Sequence, residues 1–166
     1  MARRTKYLAM IVVVLGIVSL VIGAAFVGLA AQKNNYVVSA LRQQKVTLGL
    51  TKEQIANGEV VDNAQTVQVA AETLTKHLQS IAGGTYSDLM AANKSGKYDP
   101  TDINDLKYTQ GLNMENSFNL AVLSFGVIQE TMAVGAALIV IGIAVGATGF
   151  MLFRLGVCPS NSFGAR

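Results

Sequence analysis

The chain has a single cysteine and a single histidine in 166 residues, and acidic residues are missing from both of its ends. A lone Cys158 cannot close an internal disulfide, so any folded part must hold together by packing rather than by the cross-links of small secreted domains. Beside Pro159 it is expected to be a reduced thiol rather than a palmitoylation or metal site. A lone His77 excludes a pair of imidazoles spaced one helical turn apart, and we expect it at the edge of an apolar helix stripe. The sequence also lacks a Gly-rich phosphate loop, a paired-cysteine motif, a nucleophile elbow and a haem-attachment motif. Lysines and carboxylates are scattered singly, so the expectation is a protein that is not an enzyme, with no catalytic, cofactor or metal site and no nucleic-acid partner.

Charge is also missing from two long stretches. Residues 131–153 hold no Asp, Glu, Lys, Arg or His and end at Arg154, and residues 7–31 are equally free of charge. At ~1.5 Å per residue, either stretch as a helix exceeds the ~30 Å hydrocarbon core of a bilayer. A cleaved leader is the alternative for the first, but an uncharged run of this length is too long for an ordinary leader core, so an uncleaved anchor is expected. The absence of ionisable groups argues against a transporter, a proton relay or a selective pore. Ser19 and Thr148 are the only hydroxyls well inside, and each is expected to bond back to a carbonyl of its own helix. Gly135, Gly142 and Gly149 recur every seven residues, with Gly146 one turn after Gly142, and Gly16, Gly23 and Ala30 share the spacing. Small residues let helix backbones approach, so these seven positions predict a tightly packed helical hairpin.

All ten acidic residues lie between Glu53 and Glu130, while Arg3, Arg4, Lys6, Arg154 and Arg166 flank the apolar stretches. The positive-inside rule then places both termini in the cytoplasm. The expected organisation is a basic cytoplasmic start (1–6), a first transmembrane helix (7–31), an extracytoplasmic helical domain and stalk (32–130), a second transmembrane helix (131–153) and a short cytoplasmic tail (154–166). The fold class is therefore an all-α membrane protein, with two transmembrane helices in a hairpin and a small, mainly helical domain between them.

Within 32–130, the first helix is expected to continue outward for about three turns. The alternation in KVTLGL (45–50) predicts a short strand. Thr51 with Gln54, and Thr85 with Asp88, carry N-cap patterns, and Gly58 and the Gly83-Gly84 pair mark helix ends. Between them Val67, Ala70, Ala71, Leu74, Leu78 and Ile81 form one stripe, an amphipathic helix over about 63–82. The segment 93–105, with Gly96 and Pro100, reads as the outermost loop. From about Asp105 or Asn113 a helical pattern returns and is expected to run unbroken into the second span. Residues 113–130 would make a stalk about 27 Å long, with Phe118, Val122 and Phe125 on its partner-contact face.

The opening RRTKYLAMIVVVLGIVSLVIGAA, the segment HLQSIAGGTYSDL from His77 to Leu89 and the Gly-rich closing span resemble a group of small actinobacterial two-span membrane proteins. Many of that group carry the label of aromatic-ring-opening dioxygenase. Such iron chemistry needs two histidines and a carboxylate around one metal, which a chain with one histidine does not supply. The insert around residues 93–107 departs from the group. The resemblance implies only the topology and a place in the plasma membrane of a bacterial, Gram-positive-type envelope.

The leading expectation is a non-catalytic accessory subunit in the lipid bilayer, of the kind collected by respiratory and photosynthetic complexes. It would dock on larger integral membrane subunits through small-residue helix faces and its outer domain. The alternative is a self-assembling homo-oligomer, an array or pore joined by the same glycine seams. An extracytoplasmic ligand-binding or sensory module ranks third.

Overall fold

The computed structural model describes residues 2–93 and 96–155. These form five helices in chain order, α1 (Ala2–Gln44), α2 (Lys52–Ala56), α3 (Ala64–Ala82), α4 (Tyr86–Ala92) and α5 (Ile103–Leu155), with no strand among the described residues. Contacts divide the chain into two compact units. One joins Met1–Gln32 to Gln129–Arg166, and the other is Lys33–Ile128. Helices α1 and α5 are long and apolar enough to cross a membrane. As expected, α1 continues well past the first apolar stretch and α5 runs unbroken into the second.

In the first unit the two helices meet along small residues. Ala9, Gly16, Gly23 and Ala30 on α1, and Gly135, Gly142 and Gly149 on α5, are all buried and recur every seven residues. A repeat of seven keeps one face of a helix turned toward its partner. Residues near Gly149 touch those near Val13, Gly142 touches Gly16, and Gly135 touches Gly23, so the two helices run antiparallel. The outer face of this hairpin is apolar and exposed, with Leu8, Ile11, Leu15, Ile17 and Val21 on α1 and Val140, Ile143 and Phe150 on α5 all more than half exposed.

The second unit has its own core. Val67, Ala70, Ala71, Leu74, Leu78 and Ala82 form the buried stripe of α3, and Val61, Leu89, Tyr108, Phe118 and Phe125 complete the cluster. Relative to the predicted stripe, Ala82 takes the fully buried place and Ile81 is half-buried at its edge. The local signals act as expected. Thr51 and Thr85 close capping boxes with Gln54 and Asp88, Asn63 caps α3, and Gly83 ends it in the left-handed conformation at φ 71°.

Two expectations are corrected here. Residues 45–50 form a turn, with Lys45 at φ 49°, Gly49 at φ 80° and a Leu50 amide bond to Thr47. No strand forms among the described residues, the Val46 carbonyl accepts only a single backbone bond from the Val61 amide, and Val46, Leu48 and Leu50 pack onto the core. Residues 113–128 are also not a free stalk, because α5 begins at Ile103 and lies in the core of this unit. Phe118 and Phe125 are only 4% and 8% exposed, and Val122 packs against the same cluster, so the face expected to meet a partner is instead covered by the chain itself.

The loop before α5 is pinned by Asp105, which is completely buried. Its Oδ2 accepts hydrogen bonds of 2.7 Å from Asn93 Nδ2 and from the Asp99 amide, while Oδ1 has no partner. Asp102 accepts from the amides of Asn104 and Asp105 at the start of α5.

Candidate interaction surfaces

The described residues contain no group of three or more His, Cys, Asp or Glu side chains able to hold a metal ion. His77 is exposed on α3, and Cys158 lies outside the described residues. Two carboxyls are held below the usual aspartate range by local bonds. For Asp88 the cause is the Thr85 amide and then the Thr85 hydroxyl, and for Asp99 it is the Thr101 hydroxyl and then its amide. Both are exposed cap or turn residues, so these shifts reflect local folding rather than a reactive centre.

A methyl group on Gly16 would come within 2.6 Å of the Gly146 nitrogen and 2.9 Å of the Gly142 oxygen. On Gly23 it would meet the Gly135 oxygen at 2.6 Å, and on Gly135 the Gly23 oxygen at 2.9 Å. On Gly142 it would lie 2.8 Å from the Gly16 oxygen, and on Gly149 2.8 Å from the Val13 nitrogen. These five positions therefore hold backbone against backbone. Gly146 differs: its own methyl would meet open space, and its contribution is the bare backbone that Gly16 approaches. Ala30 is 2% exposed at one end of the α1 row, and Ala9, at 1%, extends that row the other way. Ala9 lies seven residues before Gly16, so the same periodicity could have found it.

A hydrogen bond crosses the seam. Ser19 Oγ donates to the Leu138 carbonyl on the opposite helix at 2.9 Å, which corrects the expectation of a bond within its own helix. Thr148 does bond back, to Ala144, at 2.8 Å. With both glycine rows facing each other inside one chain, they are no longer open faces for another molecule.

The surface of the second unit offers different residues. On α5, Leu120 and Leu123 are 64% and 63% exposed, one turn apart, and Val127 continues the face at 55%. They alternate around the helix with buried Phe118 and Phe125. Sequence reasoning found the helix but chose its inward side. Elsewhere, α3 is tied to α5 by a short hydrogen bond from the Thr75 hydroxyl to Glu115, and by Gly111, where a methyl group would run into Leu78.

Compared with known proteins, the chain matches no family model, no curated protein and no solved structure. Two apolar helices long enough to span a bilayer, with only helices and turns or loops among the described residues, define its class as far as the fold carries it.

Proposed function

We propose that this chain is a two-span protein of a bacterial plasma membrane, with both termini cytoplasmic and residues 32–130 outside. It serves as a non-catalytic accessory subunit docked on a larger integral membrane protein. Membrane insertion is supported by the apolar windows of α1 and α5, of which only 11% is buried within the chain, too little for core helices of a water-soluble fold. The orientation rests on the basic residues flanking the apolar stretches.

The observation that carries the docking reading is the pair Leu120 and Leu123, large apolar side chains held open on a helix whose opposite side is already packed. The partner-contact role then falls to Leu120, Leu123 and Val127 rather than to the inward-facing Phe118, Val122 and Phe125. An apolar helix face of the larger subunit is the fitting occupant. The same surface, rather than the occupied glycine seams, would join copies in the homo-oligomeric alternative.

Solubilisation in mild detergent, capture through a tag after Arg166 and native mass measurement test this. A stoichiometric larger membrane protein is expected, and it should be lost when Leu120→Asp and Leu123→Asp are combined while helicity is retained. A single species at a multiple of 17.5 kDa would favour self-assembly, and a lone monomer would overturn both readings.

A further inference from the structure

The second unit contains two neighbouring apolar hollows on α5. One, of about 270 Å³, lies between α3 and α5 and is floored by Leu74, Leu78, Ile81 and Met114, with His77, Lys107 and Gln110 among its other lining residues. The other, of about 380 Å³, lies between the end of α1 and α5 and is lined by Leu41, Val46, Met114 and Phe118, with Gln44 and Ser117. Met114 lines both, so the two hollows share one unbranched, adaptable side chain. Together they fall inside the ~300–1,000 Å³ range of small-molecule sites.

Charge is distributed unevenly across this pair. No Asp or Glu lines either hollow. The nearby Glu115 is tied to Thr75. Lys107 is the one charged group lining the first hollow, and Gln110 and His77 add hydrogen-bonding groups beside it. The second hollow has no charged group at all. Gly111 keeps α3 and α5 close at Leu78, so the groove beside that contact is set by the helix packing rather than by a mobile loop.

We propose that the second unit binds a free long-chain carboxylate, with its head at Lys107, Gln110 and His77 and its chain running past Met114 toward Phe118. An apolar trough with a cation at one end matches an anionic amphiphile. A cation at that end gives no advantage to a neutral chain. This site lies within the second unit and is independent of any partner docked on α5.

The test uses the full chain in phosphatidylcholine nanodiscs with a photoactivatable diazirine palmitate as probe, followed by peptide mapping. Labelling is expected within residues 74–81 and at Met114, and unlabelled palmitate should compete. Hexadecanol should compete at least about fivefold more weakly, a difference of about 1 kcal/mol expected for a partly exposed charge contact. Lys107→Glu, a surface change, should weaken palmitate competition by about five- to tenfold and leave hexadecanol unaffected. Met114→Trp should block labelling by filling the passage. Labelling confined to the two spans, equal competition by hexadecanol, or palmitate competition unchanged in Lys107→Glu would each overturn the proposal.

Discussion

Gly142→Ala and Gly146→Ala are the same chemical change one helical turn apart, and the structure predicts opposite outcomes. At Gly142 the new methyl would sit 2.8 Å from both the Gly16 oxygen and Leu20 Cγ and 2.9 Å from the Leu20 nitrogen. All three neighbours belong to the partner helix, and two are backbone atoms that no rotamer change can move. Ordinary contact begins near 3.4 Å, so the helices must part by about 0.6 Å, and gaps of that order forfeit a quarter to a half of the dispersion energy along the contact. Overpacking of this type costs about 1–3 kcal/mol, equivalent to roughly a five- to 150-fold change in the pairing equilibrium. At Gly146 the methyl meets nothing within 4 Å, so no clash opposes it. Alanine also has the higher helix propensity, so Gly146→Ala should be neutral or slightly stabilising. The assay is energy transfer between dyes on exposed Leu8 and Leu152, in a Cys158→Ser background, during titration from mild detergent into dodecyl sulfate. Gly142→Ala should lower the separation midpoint and Gly146→Ala should not. Equal shifts, or no shift at Gly142, would refute a seam built on backbone contact.

Other predictions concern the second unit. Asp105→Ala removes the buried acceptor shared by the Asn93 side-chain amide and the Asp99 backbone amide, and should destabilise this unit by about 1–3 kcal/mol, seen as a lower melting temperature and faster proteolysis in 96–102. The relief of the orphaned Oδ1 works in the other direction and limits the loss. Asp88 has a lowered folded pKa, so its contribution is complete above the ordinary aspartate range and disappears as pH falls through that lowered value. Melting curves of the parent chain and Asp88→Ala should therefore differ at neutral pH and converge in strong acid.

The parts legible in the sequence were those encoded over a few residues or by strict period. Thr51 with Gln54 and Thr85 with Asp88 satisfy each other within one turn, so their helix starts need no tertiary information. The sevenfold spacing of glycines likewise marks one face of each long helix. What escaped was which neighbour covers a face. Phe118 and Phe125 and, on the other side, Leu120 and Leu123 form two apolar rows on α5, and periodicity alone does not say which row is turned inward. Ser19 escaped for a similar reason, since a hydroxyl in a helix meets its own carbonyls unless a second backbone comes as close as the glycine seam allows. The paired hollows depend on α1, α3 and α5 meeting around Met114, residues far apart in the chain, and leave no local pattern.

The glycine seam also bears on the entropy of assembly. Two helices that meet through leucines must immobilise those side chains, at about 0.5–1 kcal/mol each in lost rotamer freedom, whereas a glycine has no rotamers to freeze. The backbone at Gly16, Gly23, Gly135 and Gly142 is already ordered by its own helix, so closing this hairpin restricts little that was free before. The outward Leu, Ile and Val residues keep their motion in the paired state. Exchanging them for one another should leave the pairing intact, and a single methyl group in the seam should matter more than many such changes outside it.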